Sequence, residues 1–164
     1  MRDEVDELVE HWTRAGLPAD AVTRLALSKR ISRLAVRHEQ AMKAELADLG
    51  LTYAEFDVLA ALYRADGPLR PSDLSRALFL TSGGTSNVLQ RLTAAGHVAG
   101  EPNGGDGRGR LIRLTAPGRA LTEQAMTASA RLHEDLYANV PTATLQAAAD
   151  ALRPVVSGTE RRRV

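Results

Sequence analysis

The chain has no cysteine in its 164 residues. That one absence removes disulfides, thiolate nucleophiles, cysteine-based zinc sites and thiol-oxidation sensing. An excess of charge of one sign is also missing. Lys and Arg number 21 against 20 Asp and Glu, a net +1, so bulk charge does not announce a nucleic-acid partner. Between residues 51 and 115 seven arginines meet six acids, and any case for DNA must come from where those arginines sit. No apolar run approaches the ~18 residues of a membrane span, and Met1 leads straight into Arg2-Asp3-Glu4 rather than a signal peptide. The expectation is a cytoplasmic protein with no membrane partner.

Catalytic constellations are lacking as well. No serine stands in a Gly-x-Ser-x-Gly elbow, and the glycines of 104–109 lack the Gly-Lys-Ser/Thr of a phosphate loop. His11, His38, His97 and His133 are scattered without ligand spacing, so satisfied or surface histidines are the simpler reading. No enzyme, cofactor or metal site is expected.

What is present is a soluble composition, 44% hydrophobic and 25% charged, at the length of one domain with arms. A short helix carrying Trp12 fits 2–14, broken by Gly16-Leu17-Pro18. A long helix should follow to about Asp48, with Val22, Leu25, Ile31, Leu34, Ala35, His38, Met42 and Leu46 on one stripe. So long a stripe needs cover, from its own domain or from a second copy of the chain. Gly50 stops it, and Thr52-Tyr53-Ala54-Glu55 reads as a capping box opening a helix to about Ala65. Pro71 starts a short helix with Leu74 and Ala77 inward. Thr81 or Ser82 caps a third, from about Gly83 to Ala95. Strands at 97–101 and 110–114 flank a turn-rich tip, and long helices are expected at 117–139 and 141–155.

Three helices, a strand, a turn and a strand form the winged helix-turn-helix order. The expected fold is mainly α, a winged helix-turn-helix with a two-stranded wing between long dimerisation helices. The divisions would be 1–48 (arm), 49–116 (DNA-binding lobe), 117–156 (C-terminal dimerisation helices) and 157–164 (a loose basic tail).

On the third helix, Thr85, Leu89 and Leu92 share one face. Gly83, Ser86, Asn87, Gln90 and Arg91 then share the other. Ser and Asn bond base edges or phosphates, and Arg91 reaches guanine or phosphate. Gly83 and Gly84 in the first turn let that end approach a DNA backbone. The plainer reading is a solvated face with an ordinary capped start. Asp106, Arg108, Arg110 and Arg113 crowd the wing, where an arginine at a hairpin tip suits a minor groove. The plainer reading there is a charged exposed hairpin.

Three stretches carry a family resemblance: LTYAEFDVLAALYRADGPLRPSDLSRAL, LTSGGTSNVLQRLTAAGHV and DGRGRLIRLTAPG. Together, across residues 51–125, they resemble the MarR family of transcriptional regulators. The resemblance implies a homodimer that binds double-stranded DNA, with Arg108 as minor-groove finger beside Asp106. The family's middle wing arginine is Gly107 here, so that phosphate contact is either missing or moved to Arg110. Ser82-Gly83-Gly84 and Trp12 are similar to a urate-responsive, PecS-like subgroup with an extra N-terminal helix, whose scaffold aspartate would be Asp57. An arginine usual in that subgroup's recognition helix is Val88 here. The resemblance implies an operator-bound regulator, a repressor, released by a small aromatic or organic acid near Trp12, His38 and Asp57. The alternative is a winged-helix module that binds another protein.

Overall fold

A computed structural model describes residues 2–102 and 110–159. The chain divides into two compact units, residues 1–129 and 130–164. Seven helices and one two-stranded sheet are present among the described residues.

Helix α1 (Glu4–Arg14) begins on a capping box in which Asp3 accepts from the N–H groups of Val5 and Asp6, and Asp6 answers from the other side. Gly16, at φ +80, turns the chain into α2 (Ala19–Ala47). The two helices run back along each other, because Asp3 and Asp6 pair with Arg30, and Glu4 pairs with Arg33 and Arg37. Only the ends of the expected α2 stripe are covered: Val22 near the start, Met42 and Leu46 near the finish. Ala26 is buried where Leu25 was expected. Leu25, Ile31, Leu34 and Val36 lie 38–51% exposed.

Helix α3 (Tyr53–Ala65) starts on the expected capping box of Thr52 and Glu55. It buries Phe56, Leu59, Ala60 and Leu62, and also Val58 and Ala61, so it is covered on nearly all sides. Helix α4 (Pro71–Ala77) buries Leu74, whereas Ala77, expected inward, is exposed. Seven residues make about two turns, and one side chain anchors them. Helix α5 (Ser82–Ala94) is capped by Thr81, whose hydroxyl accepts from Gly84 N–H at 3.0 Å. The Ser75 hydroxyl lies 2.7 Å from that of buried Thr85, which joins α4 to α5.

Strand β1 (Val98–Pro102) pairs antiparallel with β2 (Arg110–Leu114), Val98 opposite Leu114 and Gly100 opposite Ile112. The hairpin also has an anchor that periodicity does not reveal. Leu69, in the α3–α4 connection, exchanges both backbone bonds with Ile112, at 2.9 and 2.8 Å. Helix α6 (Ala116–Leu136) follows directly. Thr115 donates its hydroxyl to the Gly96 carbonyl at 2.7 Å and accepts from Gly118 N–H at 3.1 Å. A Cβ on Gly118 would stand 1.9 Å from the His97 carbonyl oxygen, so only glycine lets the helix start this close. The compact unit therefore includes the first turns of α6, with Thr122 and Ala125 fully buried. Its boundary falls after Ser129, beyond the expected 116/117 division.

Helix α7 (Thr142–Thr159) continues past Pro154 and takes in Ser157 to Thr159, which were expected in a loose tail. Pro154 lies inside this helix, where a proline removes the bond to the carbonyl four residues before it and crowds that carbonyl. None of the α7 residues is buried. No described helix is long and apolar enough to cross a membrane.

Candidate nucleic-acid interface

The core face of α5 is Thr85, Val88, Leu89 and Leu92, each at most 7% exposed. Val88 joins the three expected residues, as its place one turn before Leu92 dictates. Opposite them Ser82, Gly83, Ser86, Asn87, Gln90 and Arg91 are all exposed, and Gly84 is half-buried. A helix anchored by four buried side chains thus offers a polar face with small residues at its start.

The two glycines of the first turn differ. A Cβ on Gly84 would lie 3.1 Å from the Thr81 hydroxyl that caps the helix, so this glycine serves the cap. A Cβ on Gly83 would meet nothing within 4 Å, so nothing within the chain demands glycine there. Ser86 donates its hydroxyl to the Ser82 carbonyl at 3.0 Å, turned back along its own helix. Asn87, next to Ser86, and Gln90, one turn along, are both exposed.

Arg91 is not a loose surface cation. Its Nε donates to Oε1 of Glu55 at 2.9 Å, from a side chain 57% exposed to one 10% exposed. Glu55 is otherwise engaged by Thr52, whose N–H and hydroxyl lie 2.8 and 2.7 Å from Oε2. Burial pushes the Glu55 carboxyl up, but the Thr52 bonds and the Arg91 charge outweigh it and leave it below the ordinary value. The sequence marks Glu55 as a backbone cap. Its tie to a residue 36 positions away has no local signature.

In the wing, Arg110 folds over the facing strand. Its guanidinium lies where a Gly100 Cβ would be, 2.6 Å from Nε, with a terminal nitrogen 3.4 Å from the Gly100 carbonyl. Arg113 pairs with Glu101 at 3.1 Å. Asp106 and Arg108 lie outside the described residues.

Sequence reasoning missed Phe79. It occupies the α4–α5 turn at φ +55 and is 72% exposed. A bulky residue in the left-handed region costs about 1–3 kcal/mol. Leu78, Phe79 and Leu80 are three consecutive apolar residues in a tight connection, and they cannot all face inward. That run was the available signal.

Of the three residues expected near a ligand, the structure brings two together. His38 on α2 meets Tyr53 on α3 edge to face at 5.9 Å. Asp57, one turn beyond Tyr53, is raised from its ordinary value by burial, with Arg64 and His38 opposing. Tyr53 is raised by burial and by the charges of Asp57 and Glu39. Trp12 is elsewhere. Glu4 meets Arg33 and Arg37, next to His38, whereas Trp12 lies about 12 Å of helical rise nearer the α1–α2 turn. Within one chain Trp12 and His38 occupy opposite ends of the hairpin. No group of three or more histidines and acids placed to hold a metal ion occurs among the described residues.

This architecture is a winged helix-turn-helix, with an anchored polar helix α5 and a wing tied to the lobe through Leu69. The chain belongs to the MarR family of transcriptional regulators. The family model matches residues 49–109. The multiple antibiotic resistance protein MarR of Escherichia coli is 30% identical over 117 residues, covering 71% of this chain and 81% of that one. The HTH-type transcriptional regulator PecS of Dickeya dadantii is 30% identical over 125 residues, 75% of each. Among solved structures, a cysteine-to-serine mutant of E. coli MarR complexed with operator DNA superposes with a TM-score of 0.73 at 25% identity. That match covers 94% of this chain and 99% of that one. These relatives are regulators, not enzymes.

Proposed function

We propose that the chain is a sequence-specific, duplex-DNA-binding repressor that acts as a homodimer on a pseudo-palindromic operator. The observation that carries this reading is the exposed face of α5, polar from Ser82 to Arg91 and held rigid by four buried residues behind it. The E. coli relative complexed with operator DNA has the same fold. A mycobacterial relative, 38% identical over 84 residues, is named a transcriptional repressor.

The dimer is supported by uncovered apolar surface. Leu25, Ile31, Leu34 and Val36 of α2 face outward, and α7 buries none of its residues. Leaving so many large apolar side chains in water is costly unless a second copy covers them. Two α5 helices would then enter successive major grooves about 10 base pairs apart, with the wings in flanking minor grooves. The protein acts where the DNA is, in the cytoplasm.

Selection of bound duplexes from a random pool, followed by salt titration, tests the proposal. The wild type should bind random duplex at least micromolar at low salt and a selected site far more tightly. Arg108→Ala should weaken all sequences and reduce the salt slope by about one, whereas changes at Asn87 or Gln90 should alter which sites win. Failure to bind random duplex at low salt would sink the DNA reading and leave the protein-binding module.

Release by a small aromatic or organic acid is the family expectation, and His38, Tyr53 and Asp57 are the residues we assign to it. Such an acid acts only if it prefers the DNA-incompetent arrangement. A thermal-shift screen of urate, salicylate and related acids should show a stabilising hit that His38→Ala and Asp57→Ala abolish. A hit indifferent to both would move the pocket elsewhere.

A further inference from the structure

We propose that Glu55 is a positioning residue for sequence reading: it holds Arg91 so that the guanidinium meets DNA in one prepared orientation. The inference rests on α5 being the DNA-reading helix and says how one side chain there is aimed.

The Glu55 carboxylate sits in an unfavourable place. The Glu55 side chain is only 10% exposed, and burying a charge is unfavourable unless it is paired. The cap on α3 does not require that charge, since glutamine also serves at this position of a capping box. Thr52 needs only one oxygen, Oε2, at 2.8 and 2.7 Å. The other, Oε1, takes Nε of Arg91 at 2.9 Å. The cap bonds from Thr52 hold one carboxylate oxygen, and among the described residues the Arg91 guanidinium is the one opposite charge that meets the other.

Arg91 has five donors in a planar fork, and one of them is spent on Glu55. Its side chain is 57% exposed, next to Gln90 and one turn after Asn87. A free arginine loses its rotamer freedom on reaching DNA. One already fixed from α3 has less to lose, and its fork points one way. Removing the charge of Glu55 should therefore blunt discrimination between sites, even as one fewer negative charge favours non-specific attraction.

The test compares affinity for a duplex selected by the wild type with affinity for random duplex, in wild type, E55Q, R91K and R91A. Glu55→Gln retains the cap and should melt close to wild type while the selected-to-random ratio falls about tenfold. R91K keeps the charge and should keep the salt slope while losing a similar part of the ratio. R91A should lose the ratio and about one unit of slope. E55Q combined with R91A should be no worse than R91A alone, because Glu55 acts through Arg91. A wild-type ratio in E55Q overturns the proposal. Should E55Q fold poorly, a wild-type ratio in R91K overturns it instead. A wild type that ignores random duplex at low salt overturns the DNA reading itself, an outcome distinct from either.

Discussion

Helices α2 and α3 belong to the same compact unit and differ in what covers them. Along α3, Phe56, Val58, Leu59, Ala60, Ala61 and Leu62 are all buried, so apolar packing by the lobe itself holds it. Along the middle of α2 large apolar residues face out, and beside buried Val5 its side toward α1 carries Arg30, Arg33 and Arg37 paired with acids. The lobe is complete within one chain. The arm is a surface prepared for something more, and within it α1 is tied to α2 partly by exposed ion pairs that are individually weak and screened by salt.

That contrast is sharpened most strongly by Leu59→Ala. Leu59 is fully buried, and its truncation should cost about 2–5 kcal/mol in denaturant unfolding, while Leu34→Ala in the arm should leave the lobe intact and weaken self-association instead. Equal losses for the two would erase the distinction. Next is Gly118→Ala. Its Cβ would stand 1.9 Å from a backbone oxygen that cannot swing away, so about 1–3 kcal/mol or more should be lost from the wing-to-α6 junction. A melting temperature equal to wild type would show that the close approach is dispensable.

A smaller change of opposite sign is expected for Asp57→Asn. Burial raises the Asp57 pKa above 3.8, so its unfolded form ionises first, and stability is lost as pH rises from 3.8 through the higher folded value. The asparagine variant should therefore melt a few degrees higher at pH 7, a gain that vanishes near pH 3. A gain that persists there would point to packing and not to charge.

The smallest global effect belongs to Asp3. The hydrogen bond from Arg30 does most to hold its carboxyl below the ordinary value of 3.8. Its contribution is thus complete above that pH and lost as the pH falls through the lower folded value. Asp3→Asn should shift Trp12 emission, the sole tryptophan signal and one carried by α1, with no change in the far-UV melting midpoint. Parallel movement of both signals would show that arm and lobe unfold together.

Much of the lobe could be read from residue order. Thr52 and Glu55 cap α3, Pro71 opens α4, and Thr85, Leu89 and Leu92 mark the inner face of α5, because caps and helical spacing depend on neighbours within a few positions. The wing strands were legible for the same reason. The residues proposed to meet a small ligand were brought together only in part. His38 and Asp57 come together, but Trp12 lies at the far end of the α1–α2 hairpin, because it stands four residues before Gly16 whereas His38 is far along α2.

By itself the sequence determined the helices, their caps, the wing and the polar face of α5, all products of short-range sterics and periodicity. Only the tertiary structure decided that Glu55 grips Arg91, that Leu69 anchors the wing, that Gly118 lies against His97, and that Phe79 is largely exposed. Each joins residues distant along the chain or depends on what neighbouring elements leave uncovered, and such contacts exist only after the elements have packed.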